Sequence, residues 1–163
     1  MRSTPETRKS QLIADMTAAR AEVIAAAQSL PADARDAAFL GVWSAHDIVA
    51  HLIGWDYANR EAIEAIRAGR LPAFYAAYDS DWRTYNAGLV AQHKRATLDQ
   101  TVADARMSHR ALIEALEALP AGDLSRDYNV RSTGGRRVTI AMLLTVEARD
   151  EQKHAEQIRS FIP

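Results

Sequence analysis

The stretch TIAMLLTVEARDEQKHAEQIRSF, residues 139–161, decides how the chain reads. At about 100° per residue, positions 140, 143, 144, 147, 150, 151, 154, 158 and 161 fall on one stripe of a helix. The stripe opens with Ile140, Leu143 and Leu144 and closes with Ile158 and Phe161, yet Glu147, Asp150, Glu151 and His154 interrupt it. An unpaired carboxylate on a core face is costly or takes up a proton, so these side chains require a partner, a cation or water inside the fold. Asp150 and His154 stand i, i+4. That spacing stacks them one turn apart and lets them share one cation.

Working outward, a third ligand is sought on another apolar helical face, and SAHDIVAHLIGW, residues 44–55, supplies one in His51. Ile48, Leu52 and Trp55 surround it on the same face, so it points inward. Taken alone it reads most simply as a core histidine bonded to a neighbour. Beside the acidic stripe of the last helix, one divalent cation would satisfy several buried polar groups together. His51, Asp150 and His154 make three N/O ligands and leave a position for water. Such a site suits zinc, nickel, iron or manganese, and the residue types do not choose among them. Glu147, one turn before Asp150, reads as a general base or an orienting group, or equally as a carboxylate paired with an arginine or lysine.

The rest of the chain supplies helices. Thr4, Pro5 and Glu6 form an N-cap, a first-turn proline and an acidic first turn, and Leu12, Met16, Ala19, Val23, Ala27 and Leu30 keep helical steps up to Pro31. Residues 31–42 read as a loop with Phe39, Leu40 and Val42 against the core. Ser44 caps a second helix, with Asp47 at the capping-box position and a stop at Gly69. An aromatic-rich connection over 70–80 is long enough to cover a site. A third helical region runs from Asp81 to Leu119, broken near Thr97 to Asp99, and is ended by Pro120 and Gly122. Residues 121–137 are polar and form a hairpin-like excursion before Thr139 caps the last helix. The expectation is an all-α chain, a four-helix bundle in one domain over residues 1–163.

Composition narrows the function. A hydrophobic share of 48% with 25% charged residues is ordinary globular usage. The formal net charge of −1 offers no global basic field for nucleic acid. The chain has no cysteine, so thiolate catalysis or ligation by its own side chains is excluded and any metal is held by His, Asp, Glu or water. Met1 to Lys9 shows no apolar leader and there is no run of 18 apolar residues, so a cytoplasmic protein away from the membrane is expected.

Trp43-Ser44 leading into His51-Leu52-Ile53-Gly54-Trp55, a third helix with Tyr85-Asn86, and a terminal helix with His154-Ala155-Glu156-Gln157-Ile158 resemble the DinB/YfiT-like superfamily, most closely its ClbS/DfsB-type branch. The resemblance spans nearly the whole chain and rests on a few short motifs. It implies a four-helix bundle, commonly a homodimer, with a metal held by one histidine of the second helix and an i, i+4 pair on the last. His51 and His154 match, and Asp150 stands where relatives carry histidine or an acid. The activities it implies are metal-assisted transfer or isomerisation with an external low-molecular-weight thiol, and hydrolytic detoxification of a reactive small molecule. Trp55, Tyr85 and Asn86 would line the pocket.

Other histidines read differently. His46 lies about 140° from His51 around the helix, which places it outside the site and exposed. His93 and His109 lie in polar surroundings and read as solvated. Arg131, Arg136 and Arg137 read as a solvated basic loop, with contact to a phosphate or acidic substrate as the alternative. Three functions follow: a metal-dependent enzyme on a reactive small molecule, a metal-free ligand-binding or self-protection protein, and a stress-linked interaction module. The first accounts best for the polar stripe.

Overall fold

The computed structural model describes residues 3–161. Among them are five α-helices, α1 (Pro5–Ser29), α2 (Ala45–Arg67), α3 (Phe74–His93), α4 (Leu98–Glu117) and α5 (Ile140–Arg159), with 3₁₀ turns at Ala32–Ala34 and Ala121–Leu124. No strand forms among the described residues, and two isolated bridges, Leu40 with Trp43 and Arg131 with Arg137, close local turns. Among the described residues no helix is long and apolar enough to cross a membrane.

Local chemistry sets the ends. The Thr4, Thr97 and Thr139 hydroxyls accept from the backbone N–H three residues on, and Ser44 with Asp47 completes a capping box at α2. Thr97 and Gln100 form a second capping box, which explains why α3 and α4 are separate elements where a single broken region was expected. The aromatic stretch before Asp81 is also helical. Asp81 leaves the helical region (φ −154°, ψ 89°), and its carboxylate caps the turn that restarts at Arg83 and Thr84. Asp81 thus begins a helical segment as read, but Phe74–Ser80 forms an arm ahead of it.

α1 packs chiefly on α5, and α2 on α4, while α3 leans on α2. The faces that meet are the predicted stripes: Leu12, Met16, Ala19, Val23 and Ala27 of α1 are buried, as are Ile140, Leu144 and Ile158 of α5. Each large side chain so buried is worth about 1.5–3 kcal/mol. α3 comes close because residue 54 is glycine: a Cβ there would stand 2.7 Å from Leu89 Cδ2. Gly54→Ala would push α3 off α2.

Four sequence expectations about exposure fail in the packing, the last of them only in part. Val42 is 84% exposed, because Gly41 at φ +64° turns the chain and directs it outward, while Phe39 and Leu40 pack as expected. His46 is buried, with Nδ1 2.9 Å from Asp36 Oδ1 and Nε2 2.8 Å from Thr101 Oγ1. α2 is flanked on several sides at once, so the side away from His51 is covered by α4 rather than by solvent. His109 is buried as well, 3.8 Å from Asp56 on the flank of α4. His93 is partly buried, stacked on Tyr57 at 5.5 Å.

Candidate functional site

α2, α3, α5 and the turn at Leu40–Trp43 enclose a cavity of about 1040 Å³, the volume of a large ligand pocket. Its wall includes His51, Trp55, Asn86, Glu147, Asp150 and His154, so the α2 and α5 residues singled out from sequence meet here. Tyr85 stands one layer back, against Trp55 at 5.4 Å and Tyr78 at 6.1 Å. The arm before Asp81 adds Phe74, Tyr78 and Trp82 to the wall. Trp55 is held by its Nε1–H, which donates to Asn86 Oδ1 at 3.0 Å, and by edge contacts with Phe74 and Tyr78.

At the other end of the cavity the His51 and His154 rings meet edge to face, centroids 5.1 Å apart, with Trp43 packed on His51 at 4.9 Å. His51 Nδ1 lies 2.6 Å from the Ile48 carbonyl, which can only accept, so that nitrogen carries the proton and Nε2 keeps its lone pair. His154 Nδ1 lies 2.9 Å from Gln157 Oε1, the same arrangement. Burial, then the neighbouring His154, pushes the His51 pKa down to about 3, and burial lowers His154 too. Both imidazoles are therefore neutral at pH 7. Two neutral imidazoles with Nδ1–H backed by oxygen and Nε2 free are the form in which histidine ligates a metal. The donor chemistry fits a divalent cation at these two residues. Asp150 is exposed on the same wall and makes no hydrogen bond or ion pair, and no group of three His, Asp or Glu is gathered closely enough to hold an ion among the described residues.

The remaining carboxylates on the α5 stripe divide sharply. Glu151 is buried against Arg20, whose Nε and Nη2 reach its two oxygens at 2.8 Å. The same guanidinium reaches both oxygens of Asp56, at 2.8 and 2.9 Å, and the Ala105 carbonyl at 3.2 Å. Ser108 adds a bond to Asp56 at 2.5 Å. Attraction to Arg20, against the cost of burial, holds the Asp56 carboxyl below its ordinary range.

Glu147 has no such partner. It keeps some accessible surface on the cavity, yet its carboxyl is enclosed, and burial, then the charges of Glu151 and Asp56, push its pKa up to about 8. Arg20 and Asn59 act the other way. Asn59 is fully buried beside it, with neither amide atom in a formed hydrogen bond. At neutral pH Glu147 is thus largely a carboxylic acid at the cavity wall, able to donate a proton.

Arg20, Asp56 and Asn59 were missed in the sequence, though their phase signals them. Arg20 falls between Met16 and Val23 on the buried stripe of α1. Asn59 follows Leu52 and Trp55 and precedes Ile63 and Ile66 on that of α2.

Residues 15–158 match the family model of the DinB superfamily. The match covers most of the chain, and the protein belongs to that superfamily. No curated protein and no solved structure matches the chain.

Proposed function

We propose that this protein is a metal-dependent enzyme acting on a reactive small molecule, by hydrolysis or by transfer or isomerisation with an external low-molecular-weight thiol. The reading rests on one observation: two neutral histidines with free Nε2 atoms meet on the wall of a large aromatic cavity. His51 and His154 would hold the cation, with Asp150 one turn before His154 as the third ligand. A bound divalent cation lowers the pKa of water or thiol and polarises an electrophile. The chain's own residues do the rest. Ile48 and Gln157 fix the two imidazoles, Glu147 holds a proton for a leaving group, and Trp55, set by Asn86, gives the substrate a flat wall. The absence of cysteine requires that any thiol arrive from outside. Within the superfamily the motifs favour a ClbS/DfsB-like detoxifying role, with α1, α2, α4 and α5 as the four-helix bundle and a homodimer as the assembly.

The open position of Asp150 favours a second reading, in which the cavity binds or inactivates its ligand without metal. Elemental analysis of untagged protein purified without chelator separates the two. About one metal per chain, lost in His51→Ala and in His154→Ala, is the expected result. A wild type that stays metal-free after reloading would sink the enzyme reading and leave the metal-free one.

A further inference from the structure

The cavity is polarised by charge as well as by shape. Three cations line it, Arg83, Arg137 and Lys153, and none forms an ion pair among the described residues. Elsewhere on the surface Arg67, Lys94, Arg95, Arg131 and Arg159 pair with carboxylates, while Arg60, Arg70, Arg106, Arg110, Arg136 and Arg149 form no ion pair among the described residues, so what sets the three apart is their place on the cavity wall. Carboxylates are not lacking in the cavity either. Asp79 lines it but accepts from Thr133 Oγ1 at 3.0 Å, and Asp150 lines it near His154. Asp127, the acidic neighbour of Arg137, is already gripped by both arms of Arg131 at 2.8 and 3.0 Å.

Arg83 and Arg137 flank the Asp79–Thr133 bond, each four residues beyond one of its partners. Both line the cavity, Arg83 from α3 and Arg137 from the approach to α5, and the Thr133–Asp79 bond ties the two segments together. Arg83 is anchored over Trp82 at 4.4 Å, which leaves its guanidinium edge, where the donors are, open. His154 lies fourteen residues along α5 from Ile140, roughly 21 Å at 1.5 Å per residue. Between the two ends lies the aromatic wall of Trp55, Phe74 and Tyr78.

From this arrangement we propose that the cavity takes an elongated organic anion with a planar body. Its acidic group, a carboxylate, sulfonate or phosphate, is held by Arg83 and Arg137. Its body lies on Trp55, and its reacting group reaches the His51–His154 end. The inference rests on the cavity being the substrate site, and it names the class of molecule that site accepts. A fork of donors from two arginines suits a planar or tetrahedral oxyanion, whereas a neutral ligand would leave both cations without a counter-charge.

Two fluorescent probes sharing one body test it: 1-anilinonaphthalene-8-sulfonate, which is anionic, and N-phenyl-1-naphthylamine, which is neutral. The wild type should bind the sulfonate at least about tenfold more tightly, and the preference should fall to within about twofold in the Arg83→Gln/Arg137→Gln double variant. Both positions are exposed, so the variant should fold. Equal or weaker binding of the sulfonate by the wild type, or an undiminished preference in the double variant, overturns the proposal. His51→Ala should keep the preference while losing metal. A metal-free protein that retains the charge preference would refute the enzyme reading alone, and a metal-loaded one without it would refute the anion site alone.

Discussion

Two buried polar groups of residues lie near one another and are built on opposite plans. Around Arg20 every guanidinium N–H has an acceptor, in Asp56, Glu151 or the Ala105 carbonyl. Around Glu147 the groups are unfinished: Asn59 has two orphaned amide atoms, Glu147 holds a proton it would lose in water, and His51 and His154 each show a bare Nε2. Both clusters lie partly on α5, one turn apart. A saturated cluster has nothing left to offer a ligand, so it fixes helices in place. An unsaturated one carries a standing cost that only a ligand, water or a cation removes, and the Glu147 cluster faces the large cavity, whereas Arg20 borders a smaller one of about 420 Å³ beside His109, whose two ring nitrogens are the unpartnered atoms on that side.

The largest effect should come from breaking the saturated side. Arg20→Met leaves Asp56 and Glu151 buried without their cation, and a loss of about 3–5 kcal/mol is expected in urea unfolding. A loss below about 1 kcal/mol would show that solvent reaches the cluster and that the contrast is overdrawn.

Next is the proton on Glu147. Its pKa rises from an ordinary 4.5 to about 8 on folding, so between these values the folded chain keeps a proton that the unfolded chain releases. Stability from this group is present below pH 4.5 and lost as pH rises through about 8. Glu147→Gln should therefore gain on the wild type across that window, by up to about 1 kcal/mol per pH unit, in chelator-treated protein. His51, whose pKa is depressed, acts with the opposite sign below pH 6.5, but it is common to both proteins and cancels in the difference. A flat difference curve would mean that Glu147 ionises normally.

Smallest is Asn59→Leu. It removes two unpaired buried polar atoms at nearly constant volume, so thermal unfolding should show no loss, or a gain of up to about 1 kcal/mol. A marked loss would mean that Asn59 is bonded in solution and that the second cluster is less open than it looks.

How far the sequence carries is set by distance along the chain. Caps at Thr4, Ser44 and Thr139 and the stripes of α1 and α5 are local, and they read correctly, whereas Thr97 reads as a break and not as a cap. The cavity was legible in outline, because His51, Glu147, Asp150 and His154 are anomalies on apolar faces. The partner of Glu151 was not, since Arg20 lies 131 residues away and its burial depends on how α1 meets α5. His46 and His109 failed for the same reason: a helical wheel gives the angle between two side chains but not how many neighbours surround the helix. The arm before Asp81 failed on chemistry, because a proline and a run of aromatics resemble a loop until they are seen stacked on Trp55.

The Arg20 fork also bears on the route to the folded state. Its two carboxylates come from segments 36 and 131 residues distant, so its charge cannot leave water with both partners until both loops have closed. A half-assembled chain with α1 docked on α2 alone would bury the guanidinium against one acid and strand three of its five donors, two that reach Glu151 and one that reaches the Ala105 carbonyl. The pairings of α1 with α2 and with α5 are thereby tied into a single late step, and intermediates that join only two of the three helices are penalised. Substitutions at Arg20 should accordingly slow folding less than they hasten unfolding.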